Sequence, residues 1–182
     1  GEPLIVSTVT CEEGKKDILE LLINAGANID AHSKYGSTAL VKSIHSNTTC
    51  LEPAALLLKA GADPNLRDRN GYFPMHKLAF REQNDVREAI ELLLAYGATL
   101  ESKDQQGNTP LLYATKVGNN IDVITSLLEA GADTTCLDVR KNTLFHAVAM
   151  NTKENGAQIF KLLAQLDIDL EALNDNNQTA YD

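Results

Sequence analysis

Residues able to do chemistry are few in this chain and do not converge. Four histidines (His32, His45, His76, His146) and three cysteines (Cys11, Cys50, Cys136) are the whole stock of soft ligands and nucleophiles. None sits at the short spacing that zinc sites use. There is no glycine-rich phosphate loop ending in Lys and no serine elbow between a strand and a helix. Asp68, Asp104 and Asp138 could supply paired carboxylates, but they recur at a fixed interval, which marks them as turn residues. The sequence predicts no catalytic residue, no metal and no cofactor, so the chain is read as not an enzyme.

The interval belongs to a period running through the chain. Gly26-Ala27-Asn28, Gly61-Ala62-Asp63, Gly97-Ala98-Thr99 and Gly131-Ala132-Asp133 each follow a Leu-rich run, and a worn copy places Asp167 after Leu162-Leu163. The steps are 35, 36, 34 and 36 residues. A second landmark, Gly36, Gly71, Gly107, Lys141 and Asn177, repeats with the same four steps. Two markers with one rhythm signify stacked supersecondary units.

Each unit has a physical reading. Ile121, Ile124 and Leu128, with Val123 and Leu127 beside them, recur at helical spacing. The Gly after the run stops the helix, because it takes positive φ without a Cβ penalty. The polar stretch Asp63-Pro64-Asn65 through Asp68-Arg69-Asn70-Gly71 suits an extended hairpin. Thr109-Pro110 then opens a shorter helix, Thr as cap and Pro in the first turn. A unit is therefore hairpin, short helix, loop and longer helix, burying its Leu face only by stacking.

Composition sets outer limits. With 43% apolar residues, 5% aromatics and no Trp, the core must come from Leu, Ile, Val and Ala. The longest apolar run, Pro53 to Leu58, is six residues, too short to span a membrane. No signal peptide is visible. Three scattered cysteines argue against a disulfide framework and for a reducing compartment, so an intracellular location, cytoplasmic or nuclear, is expected. The net charge of −9 argues against nucleic acid as partner.

On these motifs the chain resembles the ankyrin repeat family. The fullest copy runs from Asp104-Gln105-Gln106-Gly107-Asn108-Thr109-Pro110-Leu111 to Leu127-Leu128-Glu129-Ala130-Gly131-Ala132-Asp133. The family's Thr-Pro-Leu-His motif stands as Phe73-Pro74-Met75-His76 and Thr143-Leu144-Phe145-His146, and is worn to Thr38-Ala39-Leu40-Val41. Lys141 and Asn177 depart from the hairpin Gly, and Asp167 from the helix-stop Gly. The resemblance implies an all-α solenoid of stacked helix-turn-helix repeats with β-hairpin loops. We divide it as 1–32, 33–67, 68–103, 104–137, 138–173 and a truncated 174–182, and expect a fragment of a longer protein. It also implies that His76 and His146 tie helix to hairpin. Asn65 occupies a position hydroxylated in many animal members.

Ankyrin repeats run to about 33 residues. Here the excess of two, three, one and three residues falls between the two helices of a unit, from Thr38 to Thr49, Phe73 to Asp85, Thr109 to Asn119 and Thr143 to Asn155. We read it as tolerated loop drift rather than an added contact edge.

Family members bind partners through a concave groove of hairpin tips and inner helices. The matching positions are Lys34, Tyr35, Arg67, Arg69, Tyr72, Phe80, Arg81, Gln105, Asn108, Lys116 and Arg140, with Gln106 and Met150 beside them. Ten of the sixteen basic residues map to hairpins or inner helices. The expectation is a basic groove on an acidic body, binding a protein or peptide that is acidic or phosphorylated. The alternatives are a targeting domain of a larger enzyme and an effector that a bacterium delivers into a host cytosol.

Overall fold

The computed structural model describes residues 2–182 except 11, 13, 46–49, 83–84 and 167. Cys11, Thr49 and Asp167 therefore lie outside the described residues. Ten α-helices follow in order: α1 Leu4–Ser7, α2 Lys15–Asn24, α3 Ala39–His45, α4 Glu52–Lys59, α5 Pro74–Lys77, α6 Val86–Ala95, α7 Pro110–Val117, α8 Ile121–Glu129, α9 Leu144–Met150 and α10 Gly156–Leu163. A 3-10 turn, Leu78–Phe80, continues α5. The odd-numbered helices pack on one another as an inner row, and α6, α8 and α10 form part of an outer row behind them. No helix is long and apolar enough to cross a membrane among the described residues.

The inner helices are covered on both sides by their neighbours in the stack. In α7 every residue from Pro110 to Thr115 is buried. The outer helices are amphipathic: α8 buries Val123, Ile124 and Leu127 and leaves Asp122 and Glu129 in water. Helix starts follow the predicted chemistry. The Thr109 hydroxyl accepts from Leu112 N–H with Pro110 at the first helical position. Thr143 and His146 form a capping box. Pro53 lies in the first turn of α4, where its missing N–H costs no helical bond.

The hairpins take the form of tight turns, with no β-strand among the described residues. One oxygen organises each turn. Asp104 Oδ1 accepts from Gln106 N–H at 2.8 Å and from Asn108 N–H at 2.9 Å. Asp68 and Asp138 do the same one unit either side. Ser33 and Asn174 fill the role in the end turns. Each turn closes with paired backbone bonds, as Asp104 N–H to Asn108 C=O at 3.0 Å and Gly107 N–H to Asp104 C=O at 3.1 Å. Closure demands a left-handed fourth residue. Lys141 (φ 60°) and Asn177 (φ 56°) adopt it in place of Gly, so the turn survives both substitutions.

Successive turns are stacked. A Cβ on Gly36 would strike the aliphatic stem of Arg69, and one on Gly107 would strike the Val139 backbone. Val139 N–H donates to Gln106 C=O at 2.9 Å and Asp175 N–H to Arg140 C=O at 2.9 Å.

The cysteines correct the sequence reading. Cys136 is a buried free thiol, its pKa pushed up by burial. Cys50, however, is disulfide-bonded. The argument for a reducing compartment loses that support.

Asp104→Ala is expected to lower stability by about 3 kcal/mol, because buried Asn108 N–H loses a charged acceptor. Asp104→Asn should cost about 1 kcal/mol, as Asn174 already organises a turn. Urea unfolding of the two variants checks the order; equal losses would remove the carboxylate from the account.

Candidate functional site

The predicted positions fall on the turns and the inner row of helices, but not all are free to act there. Lys34, Tyr35, Arg67, Arg69, Gln105, Gln106 and Arg140 are exposed on the turns. Of the ten basic residues assigned to turns and inner helices, four are spent. Lys42 pairs with Glu2 at 3.5 Å, Lys77 with Asp68 at 2.8 Å, Arg81 with Asp85 at 2.6 Å and Lys141 with Asp175 at 2.8 Å. Lys34, Arg67, Arg69, Lys103, Lys116 and Arg140 have no ion pair among the described residues.

Arg81 is a correction, because its side chain is fully buried. Its fork holds Asp85 through Nε and Nη2, both at 2.6 Å, and Nη1 donates to Ile44 C=O at 3.1 Å. The acceptor is a carbonyl in the last turn of α3. Arg81 is thus a strut between units rather than a docking group. Asn108 is likewise buried, its amide donating to Asp104 Oδ2 at 2.9 Å.

The lengthened loops also differ from the drift expected of them. Asn120 Nδ2 donates to Arg81 C=O at 3.0 Å, Asn151 Nδ2 to Thr115 C=O at 2.8 Å, and Asn155 Nδ2 to Asn119 C=O at 2.7 Å. The chain around Asn120 and the segment holding Asn151 and Asn155 each reach back to the unit before, so this part of the edge is stitched.

Aromatic side chains line the middle of the face. The Tyr72 and Tyr113 rings lie 4.7 Å apart, and Phe80 meets Tyr113 edge-on at 5.9 Å. Burial pushes the Tyr113 hydroxyl well above the usual phenol range, and its hydrogen bond with Tyr72 adds to the shift. Lys77 Nζ stands 4.4 Å over the Tyr72 ring while bridging to Asp68. Phe80 remains partly exposed, as does Met150 two units along the inner row.

At the turns, Arg67 and Arg69 share a shallow hollow of about 540 Å³ with His32, Phe73 and Gln105. The side chains flanking each turn change along the stack. His32, Lys34, Arg67, Arg69 and Lys103 give way to exposed Leu137, Val139 and Leu173. The sequence reading named Val139, with Met150, as an alternative contact and passed over Leu137 and Leu173, although they occupy the same register as the arginines.

His76 and His146 are structural. His76 Nε2 lies 2.9 Å from Asn108 C=O and His146 Nε2 3.0 Å from Gln178 C=O, each in the next turn. A carbonyl only accepts, so Nε2 carries the proton in both. His146 Nδ1 meets Thr143, whereas His76 Nδ1 has no partner because Phe73 stands at the Thr position. Burial lowers the His76 pKa. Asn65 spans units too, donating to Gly97 C=O at 2.9 Å and accepting from Thr99 N–H at 2.9 Å.

Comparison with known proteins agrees with this geometry. A family model described as Ankyrin repeats (3 copies) matches residues 50–138. A Rickettsia bellii protein named for ankyrin repeats is 33% identical over 65% of the chain and 34% of its own length. Ankyrin repeat and SOCS box protein 6 of Mus musculus is 31% identical over 87% of the chain and 36% of its own length. SH3 and multiple ankyrin repeat domains protein 2 of Homo sapiens is 29% identical over 91% of the chain and 8% of its own length. The chain thus spans little more than a third, at most, of these three relatives.

Two outcomes are expected. Arg81→Ala should destabilise by about 3 kcal/mol, leaving Asp85 and Ile44 C=O without the guanidinium; a shift within error in thermal melting would return Arg81 to the surface. For His76, the folded pKa lies below the unfolded value of about 6.5. The unfolded chain therefore binds more protons, and stability is complete above that pH and falls as pH drops towards the folded pKa. A single group can contribute a slope of at most about 1.4 kcal/mol per pH unit. His76→Gln should flatten this loss in urea titrations between neutral and mildly acidic pH; an unchanged slope would assign it to other groups.

Proposed function

Because the chain belongs to the ankyrin repeat family, we propose that it is a non-catalytic protein-binding module whose turns and inner helices receive an acidic or phosphorylated segment of a partner. The observation that carries this reading is the pair Arg67 and Arg69, exposed around one hollow whose single lining carboxylate, Asp68, is taken by Lys77, so that neither arginine has an ion pair among the described residues. A guanidinium fork matches carboxylate or phosphate oxygens in bidentate fashion. Lys34, with its Nζ 4.8 Å over the Tyr35 ring, and Arg140 extend the row of turns. Exposed Leu137 and Val139 follow in the same register, so the segment is acidic over the second to fourth units and apolar beyond them.

The body's charge of −9 makes a duplex or single strand of nucleic acid an unfavourable occupant, and the described residues present no row of exposed rings for base stacking. We place the module inside a cell, in cytoplasm or nucleus. The free Cys136 thiol favours that setting and the disulfide at Cys50 weighs against it. A second reading, as a targeting domain of a larger enzyme or a bacterial effector in a host cytosol, is favoured by the relatives' length.

The test is a pull-down from nuclease-treated lysate with the parent chain and an Arg67→Glu, Arg69→Glu variant matched in melting temperature. Proteins held by the parent should be lost by the variant, with Kd rising about tenfold or more. The same proteins on both would end the arginine reading.

A further inference from the structure

Inner helices begin at the turns and end at the inter-helix segments, so their C-terminal ends form the other edge of the concave face. There the 3-10 turn, α7 and α9 enclose a recess of about 420 Å³ lined by Phe80, Tyr113, Lys116, Val117, Met150 and Lys153. Its walls are apolar and partly open to water: Phe80 is 39% and Met150 44% exposed. The Phe80 ring is not loose, being held edge-on at 5.9 Å by Tyr113 and 5.5 Å from His45. Asn151 pins the rim to Thr115 C=O and Gly118 C=O, so the carbonyl end of α7 already has its donor. The recess is preformed, which lowers the ordering cost of binding.

Its charge is opposite to that of the chain. Lys116 and Lys153 line it and have no ion pair among the described residues. No carboxylate lines it among the described residues; Glu82 lines a smaller neighbouring recess that shares Phe80, Val117 and Lys153 with it. Methionine beside an aromatic ring makes an adaptable, polarizable seat for a large apolar group.

We propose that this recess docks an acidic segment of a partner protein by one bulky apolar side chain, seated between Phe80 and Met150, while flanking carboxylates meet Lys116 and Lys153. The inference rests on the reading of the chain as a protein-binding module, but it does not depend on Arg67 or Arg69. Its volume holds one large side chain and a short stretch of flanking backbone, not a folded surface.

The chain carries a built-in reporter, because its two methionines are Met150 at the recess and Met75 in the core. The probe is a phage-displayed library of random peptides, selected on the parent and on a Lys116→Glu, Lys153→Glu variant. Enriched peptides should carry a large apolar residue flanked by Asp or Glu. One of them, synthesised and titrated into chain labelled with 13C at the methionine methyls, should move the Met150 resonance and leave Met75 still. The lysine variant should bind it about tenfold more weakly, a loss of about 1.4 kcal/mol. An unmoved Met75 signal and an unchanged melting temperature show that this variant folds. The Arg67→Glu, Arg69→Glu variant should keep the Met150 response. Enriched peptides without acidic residues, a still Met150, undiminished binding to the lysine variant, or no enrichment at all would overturn the proposal. So would a Met150 shift that grows with chain concentration alone, which makes a second copy the occupant. Peptides lost only on the arginine variant would leave the arginine reading standing and remove this one.

Discussion

One oxygen per unit carries the architecture. The Oδ1 of Asp68, Asp104 or Asp138 gathers two backbone N–H groups and folds the turn back on itself. That closure sets the next inner helix at the right place on the stack. Inside the fold such donors would otherwise be desolvated without an acceptor, which costs more than the bond itself returns. The organising oxygen is kept in every turn, on Asp, Ser or Asn, while the outward side chains change from one turn to the next. Arg67, Gln105 and Leu137 differ freely at the edges of turns whose organising Asp is unchanged.

Units are coupled by polar bonds as well as by packing, and the coupling depends on what the next unit presents. Asn142 Oδ1 accepts from Asn174 Nδ2 at 3.0 Å. Asn108 holds the equivalent place one unit earlier, but the next turn offers Asp138, which can only accept, and Asn108 Oδ1 is left without a partner. Phe73 leaves His76 Nδ1 in the same position. Both orphans sit at the centre of the stack, where neighbouring bonds and burial compensate for them. A solenoid can carry such local mismatches because each unit's stability is shared with its neighbours.

The legible part of this fold is what the backbone imposes. Helix-stop glycines, Thr-Pro starts and Leu spacing are set by φ angles, missing N–H groups and periodic burial, and each leaves a residue-type signature. The less legible part depends on where long side chains go. Arg81 looks like a surface cation at the end of an inner helix; only the path of the following loop brings Asp85 under its fork. The Asn residues of the lengthened loops look like ordinary loop polarity, and their reach to Arg81, Thr115 and Asn119 carbonyls is a three-dimensional fact. Cys50 belongs to the same class. The recess beside Phe80 is lined from three units, and Phe80, Lys116 and Met150 stand at one position of the period, nine residues after Gly71, Gly107 and Lys141; the period marks the position, but not that the three side chains border one recess.

The two edges of the concave face are consequently different kinds of surface. At the turns the backbone is closed on itself, and the outward side chains at Lys34, Arg67, Arg69 and Lys103 are long, charged and exposed. Such groups steer an approaching charge and set its register more than they fix its pose. At the opposite edge, side-chain amides clamp one loop to the next and an aromatic ring is held on two sides. A preformed apolar seat with cations at its rim loses little entropy on binding, so it is the edge suited to holding a ligand in one pose. A partner that presents acidic residues first to Arg67 and Arg69 would therefore meet steering and seating on opposite sides of the same inner helices. The helices' own length then sets the spacing between its acidic stretch and its anchor.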